Sequence, residues 1–244
     1  MKGSDIQDLV IVKLEEYTPF KDEEHIAVAT GGNDYDEVRP VESYVRKHMA
    51  QSANEMLRVM PIHLLRYKED TDVVCVADAA DNRIGRLVCP SDFLRLHTLQ
   101  MEGWVKPVHQ AAEVGGAVDA LQQNRWTRGS KQKPVAVIDG EGFKSSNVQS
   151  SNVQSSNVQD EVSAQAVMEL HYYSVDASDT HSVKVFRYVP VFDKDGEYGD
   201  DAAELIALNC ARKVAEVFGM TEQATTFTNE ITNVLENTHY SNDR

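Results

Sequence analysis

Long apolar runs, a cysteine framework and an excess of basic charge are all missing from this 244-residue sequence. The longest apolar run near the N-terminus is Leu9–Val12, four residues held between Asp8 and Lys13. That is too short for a signal-peptide core and far too short for a transmembrane helix. Cys75, Cys89 and Cys210 are odd in number and widely spaced, so no disulfide framework or CxxC metal knuckle is implied. With 24 bases against 39 acids the formal charge is −15, and no basic stretch is long enough to make a nucleic-acid arm. The expectation is a soluble protein made in a reducing cytoplasm, with no membrane partner. Catalytic words are missing too: there is no HExxH and no G-x-S-x-G, and the eight histidines do not cluster. The sequence offers no positive sign of a catalytic site.

What is present is enough apolar matter for a real core, 41% of the residues. Ser4 and Gln7 fit a capping box ahead of a stripe at Ile6, Leu9, Val10, Leu14 and Tyr17, which predicts a helix ended by Thr18-Pro19. An acidic, glycine-containing loop follows. The helical period returns from Val41 through Tyr44, Val45, His48, Met49, Ala53, Met56, Leu57 and Met60, and Pro61 closes it. Beyond residue 70 the texture changes to short Val-, Ile- and aromatic-rich segments at Val73–Ala77, Ile84–Val88, Phe93–Met101, Trp104–His109, Val135–Ile138, Val167–Tyr173 and Val183–Val189. Their spacing predicts antiparallel strands. Two helices close the chain. Asp200 or Asp201 is expected to cap the first, with Ala203, Ile206, Cys210, Val214 and Val217 inward and Gly219 as its stop. Thr221 is expected to cap the second, whose stripe is Ala224, Phe227, Ile231, Val234 and Leu235.

The expected fold class is therefore α+β: N- and C-terminal helices packed as a bundle, with an inserted antiparallel β-sandwich or barrel-like domain. The expected parts are helical over 1–70, β over 71–190, and C-terminal helices over 191–244 packing on the N-terminal part. Within the β part, three copies of Ser-Ser-Asn-Val-Gln occupy 145–159. One valine per five residues cannot bury a core, so the repeat is expected to be an exposed loop.

Several segments imitate known sites. Asp193-Lys194-Asp195-Gly196-Glu197 resembles a calcium loop, but its glycine stands at the fourth place where the sharp turn needs the sixth. Asp139-Gly140-Glu141-Gly142 follows a strand as a phosphate loop does, yet the polar repeat comes next where a helix N-terminus is required. One feature runs against the acidic background. Arg125, Arg128, Lys131 and Lys133 are four bases within nine residues, interleaved with Trp126 and free of acids. Arg and Trp are favoured interface anchors, so we expect this segment to dock an acidic protein surface; an ordinary exposed hairpin and a nucleic-acid contact are the alternatives.

The stretch Arg86-Leu87-Val88-Cys89-Pro90-Ser91-Asp92-Phe93-Leu94-Arg95-Leu96 resembles the Leu-Pro-x-Asp-Phe-Leu-Arg-Leu signature of head-to-tail adaptor proteins, which form the neck of short-tailed bacteriophages. Trp104, the run Gln123–Ser130 and Pro134-Val135-Ala136 continue in the family's order, and the likeness is greatest to neck-ring proteins of crAss-like phages. Cys89 stands where the family more often has Leu, and the repeat is not part of its pattern. The resemblance implies a structural virion protein, not an enzyme and without a cofactor, made in the bacterial host cytoplasm and found in the neck or tail. It implies a ring of identical subunits, commonly twelve, below the portal protein and beside other neck or tail rings. Genomic double-stranded DNA passes through such a ring without sequence-specific binding. Pro90, Asp92, Phe93, Leu94, Arg95 and Leu96 would then be mainly structural. The other readings are a β-sandwich module binding glycan or protein, an enzyme with a diffuse site, and a different virion part.

Overall fold

The computed structural model describes residues 1–17, 41–78, 81, 83–124, 126–139, 168–173 and 181–240. The acidic loop after Tyr17, Arg125, Gly140 and the 145–159 repeat lie outside them. In chain order the first elements are α1 (Gly3–Tyr17), α2 (Val41–Val59), a 3-10 turn (Ile62–Leu64), β1 (Lys68–Glu69), β2 (Cys75–Ala77), β3 (Ile84–Val88) and β4 (Phe93–Met101). They are followed by β5 (Ala112–Glu113), α3 (Ala117–Gln122), β6 (Val135–Asp139), β7 (Glu169–Tyr173), β8 (Val183–Pro190), α4 (Asp200–Val217) and α5 (Thr221–Tyr240). This is an α+β chain whose terminal helices flank a central mixed β region. Two compact units result, Met1–Tyr67 with Val189–Arg244, and Lys68–Tyr188.

In the helical unit α4 is the hub, packed by α1, α2 and α5. Ala203, Leu205, Ile206, Leu208, Cys210 and Val214 on it are fully buried, while Val217, expected inward, is exposed at the last turn. Where α2 crosses α4, the buried Asn209 amide donates to the Ser52 carbonyl at 2.9 Å. Gly219 takes φ +72°. That left-handed residue lets the amides of Gly219 and Met220 return to the carbonyls of Glu216 and Ala215, closing α4 with two bonds.

Three helix starts differ from expectation. Ser4 lies inside α1, and its hydroxyl donates to Asp5 at 3.1 Å. The orphan amides of Gly3 and Ser4 are taken instead by the carbonyls of Gly196 and Lys194, both at 2.9 Å. A Cβ at residue 3 would collide with the Asp193 and Lys194 carbonyls, so only glycine lets α1 seat there. The Asp193–Glu197 turn is thus the cap of α1. Gly199, not Asp200 or Asp201, is the N-cap of α4, and no side chain bonds there. Thr221 is the first residue of α5, where the Met220 carbonyl accepts from Ala224 at 3.0 Å.

In the β unit β8 lies between β1 and β4, and a second sheet has the order β2-β3-β7-β6-β5. Both sheets contribute to one core, with Phe93, Phe186 and Tyr188 from the first and Leu87, Ala136, Leu170 and Tyr172 from the second. Two expectations are corrected. The sheet is mixed, because β5 pairs with β6 in parallel, with the short α3 between them. No closed barrel forms among the described residues. The Trp104–His109 segment forms no named strand; its backbone makes a Leu99–Val108 bridge and a bond of 2.9 Å from the Val105 amide to the Lys131 carbonyl. Trp104 and Val108 reach the core from a turn, so their apolar spacing imitated a strand.

Candidate docking site

The basic, tryptophan-bearing segment forms a loop that runs from the end of α3 to β6. Its scaffold is polar and local. Gln122, only 2% exposed, donates from Nε2 to the Val118 carbonyl at 2.9 Å and accepts the Gly129 amide on Oε1 at 2.8 Å. Thr127 Oγ1 donates to the Leu121 carbonyl at 2.6 Å, and the Asn124 carboxamide oxygen accepts the Trp126 amide at 3.0 Å. Ser130 and Lys133 exchange backbone bonds at 3.0 and 2.8 Å. Gly129 approaches the Tyr173 carbonyl so closely that a Cβ would sit 2.9 Å from it.

Arg128 locks the loop to the second sheet. Its Nε donates to the Gln122 carbonyl at 3.0 Å, and its guanidinium pairs with the Asp81 carboxylate. Asp81 also accepts from the Arg83 side chain at 3.0 Å and the Arg83 amide at 3.1 Å. Arg83 chiefly, with Arg128, holds the Asp81 carboxyl at a pKa of about 2, against the opposing effect of burial. Arg128 is therefore turned inward as a positioning residue and offers no carboxylate fork to a partner.

Trp126 is what this scaffold presents. Its residue is 91% exposed, although indole is among the side chains most favoured in interiors and interfaces. Nearby on α3, Val118 and Leu121 are 43% and 50% exposed. They stand three residues apart and so share one helix face. Lys133 is exposed and Lys131 half-buried on the same loop. The loop thus carries Trp126, Lys131 and Lys133, and α3, which leads into it, exposes an apolar pair that the sequence analysis did not single out. A hot-spot anchor flanked by bases is the arrangement by which a protein surface is gripped.

The family-like motif sits elsewhere in the unit, as framework. The Pro90 carbonyl accepts the Phe93 amide at 3.0 Å in the turn that starts β4. Asp92 accepts from Lys68 Nζ at 2.6 Å and from the Tyr188 hydroxyl at 2.8 Å. Burial opposes its ionisation, yet these donors bring its pKa below the ordinary carboxylate value. Phe93 stacks on Phe186 and Tyr188 with centroids 6.3 and 5.8 Å apart. Leu94 and Leu96 are buried. Arg95 is half-buried, and burial lowers its pKa.

The other reactive groups are quiet. Burial pushes the Cys89 thiol to about 12 and the Cys210 thiol to about 11, and raises Cys75 as well, so none is held as a thiolate. The Tyr172 hydroxyl lies 2.7 Å from His181 Nδ1 inside the β unit. His48 is half-buried on α2. Among the described residues no group of three or more His, Cys, Asp or Glu is placed to hold a metal ion, and no helix is long and apolar enough to cross a membrane.

Asp81 and Gln122, which hold the loop, were not among the expected site residues. Nothing in the sequence around Asp81 marks it as an anchor, and its partner Arg128 lies 47 positions away. No family model matches the chain, and a search of the curated proteins finds no match.

Proposed function

We propose that this protein is a structural subunit of a bacteriophage neck: a head-to-tail adaptor that assembles as a ring below the portal and conducts the genome. The observation that carries the reading is Trp126, held 91% exposed by a loop pinned through Arg128–Asp81 and Gln122–Gly129. An exposed indole on a backbone already held in place adds apolar area without reordering the loop on association, which is what an assembly contact requires. The resemblance in Asp92–Leu96 and Gln123–Ser130 supports the same reading. So does the acidic composition, because a −15 subunit facing a DNA bore repels phosphates and lets the duplex slide. In this reading the two sheets act as a sandwich-like platform for the docking loop, and the helices, as a bundle, give long surfaces for side-by-side packing in a closed ring.

The test is a reconstruction of purified particles. The chain is expected in a ring next to the portal; particles whose neck lacks it end the proposal. A second reading, a glycan- or protein-binding module, draws on the same exposed Trp126, since an indole face also stacks on sugars. Quenching of Trp126 fluorescence by a panel of oligosaccharides, with no chain in the particle, would favour that module.

A further inference from the structure

We propose that the Trp126 face docks on a second copy of this chain, and that it does so on the acidic Asp193–Asp201 turn of that copy's helical unit. This rests on the ring reading above and names the contact within it. The docking loop carries Trp126 and Lys133, both exposed, and α3, which leads into it, exposes Val118 and Leu121. All 39 acids of the chain lie outside the 125–133 segment, so a second copy meets that segment with a surface of opposite sign.

The complement is most concentrated at Asp193, Asp195, Glu197, Asp200 and Asp201. These are five exposed carboxylates within nine residues, with Lys194 the one base among them. The turn is also preformed. It takes the amides of Gly3 and Ser4 at 2.9 Å, and Tyr198 exchanges bonds of 2.8 Å with Met1. Two rigid partners of opposite charge lose little entropy on meeting, and their attraction steers encounter before the indole is buried. The two faces are different patches of the chain, one on each unit. Such a head-to-tail contact is heterologous and closes into a ring where the rotation allows.

The experiment mixes unlabelled with ¹⁵N-labelled full-length chains at raised concentration and joins them with a carbodiimide, which forms an amide only between an ammonium and a carboxylate in contact. Peptides of mixed isotope joining Lys133 to Asp195, Glu197, Asp200 or Asp201 are expected. Trp126→Ala is expected to cut association by about thirtyfold, the scale of one interface hot spot, with the melting temperature unchanged. Lys131→Glu/Lys133→Glu chains and Asp195→Lys/Asp201→Lys chains are each expected to lose self-association and to recover it when mixed. The proposal is overturned by Lys133 links of a single isotope only, by links to other acids only, or by a Trp126→Ala chain that associates as the parent does. The contact and the neck assignment fail separately. A chain found in the particle neck without these links refutes the contact and keeps the ring; these links with no chain in the particle do the reverse.

Discussion

The helical unit and the β unit bury their cores by different means. In the helical unit the central helix α4 is lined by small and aliphatic side chains, among them Ala203, Ile206, Ala207, Leu208 and Ala211, all fully buried. Small residues let helices approach closely, and where α2 meets α4 the Asn209 amide donates to the Ser52 carbonyl and Lys213 Nζ donates to the Glu55 carboxylate at 2.6 Å. In the β unit the core is aromatic, with Phe93, Trp104, Tyr172, Phe186 and Tyr188, and it carries polar ties inside, Tyr188 to Asp92 and Tyr172 to His181. The difference teaches where a docking feature can stand. The aromatic unit uses a long-range ion pair, Arg128 to Asp81, to fix the loop that leaves its indole in water; the aliphatic unit places its long-range polar pairs between helices and at their ends.

The sharpest way to break the comparison is to damage one core at a time and read both units through their thiols. Cys75 and Cys89 report on the β unit and Cys210 on the helical unit, and each has a raised pKa that keeps it unreactive while folded. Phe186→Ala removes a ring stacked on Phe93 and Tyr188 and is expected to cost about 4 kcal/mol. Cys75 and Cys89 should then label at lower urea than in the parent, with Cys210 still protected. Simultaneous labelling of all three would show one cooperative body in place of two. Ile206→Ala in α4 is the reciprocal change, expected at about 3 kcal/mol, and should expose Cys210 first.

A smaller effect isolates the loop anchor. Asp81 has its pKa depressed from 3.8 to about 2, so its ionised form contributes stability above the ordinary value, and that contribution fades as pH falls toward 2. The parent is expected to lose about 1 kcal/mol across this window through Asp81, with solvent screening holding the figure below the full linkage value. Asp81→Asn should be less stable by that amount at neutral pH and should converge with the parent near pH 2. Parallel acid-unfolding curves for the two chains would show that the Asp81 charge, held by Arg83 and Arg128, contributes nothing. The smallest expected effect is that of Trp126→Ala on folding, within about 0.5 kcal/mol, because an exposed ring leaves no cavity. A calorimetric loss of several kcal/mol would mean that Trp126 packs against the chain.

Much of the element order was legible because it rests on neighbours in sequence. The stripes of α1, α2 and α4, the β-branched residues of β3 and β8 and the apolar run of β4 are patterns that few residues suffice to declare. What escaped was short or distant. The two-residue β5 and six-residue α3 are below the length at which a period exists, so the parallel pair they create was invisible. Trp104–His109 carried a strand's spacing without a strand's partners. The cap of α1 comes from Lys194 and Gly196, nearly the whole chain away, while Ser4 and Gln7 looked sufficient for it. At the candidate site the sequence named Trp126 and the bases around it, but the roles divided only in three dimensions.

The sequence by itself determined the helix-flanked β arrangement, the isolation of four bases around one tryptophan, and the absence of a catalytic word. Each of these is a property of consecutive residues. Only the tertiary structure decided that Arg128 turns inward to Asp81, that Gln122 ties the loop at Gly129, and that Trp126 is thereby left in water. The reason is physical. A side chain's direction follows from which distant carboxylate or carbonyl the sheet register brings beside it, and that register depends on the summed packing of strands far apart in the chain.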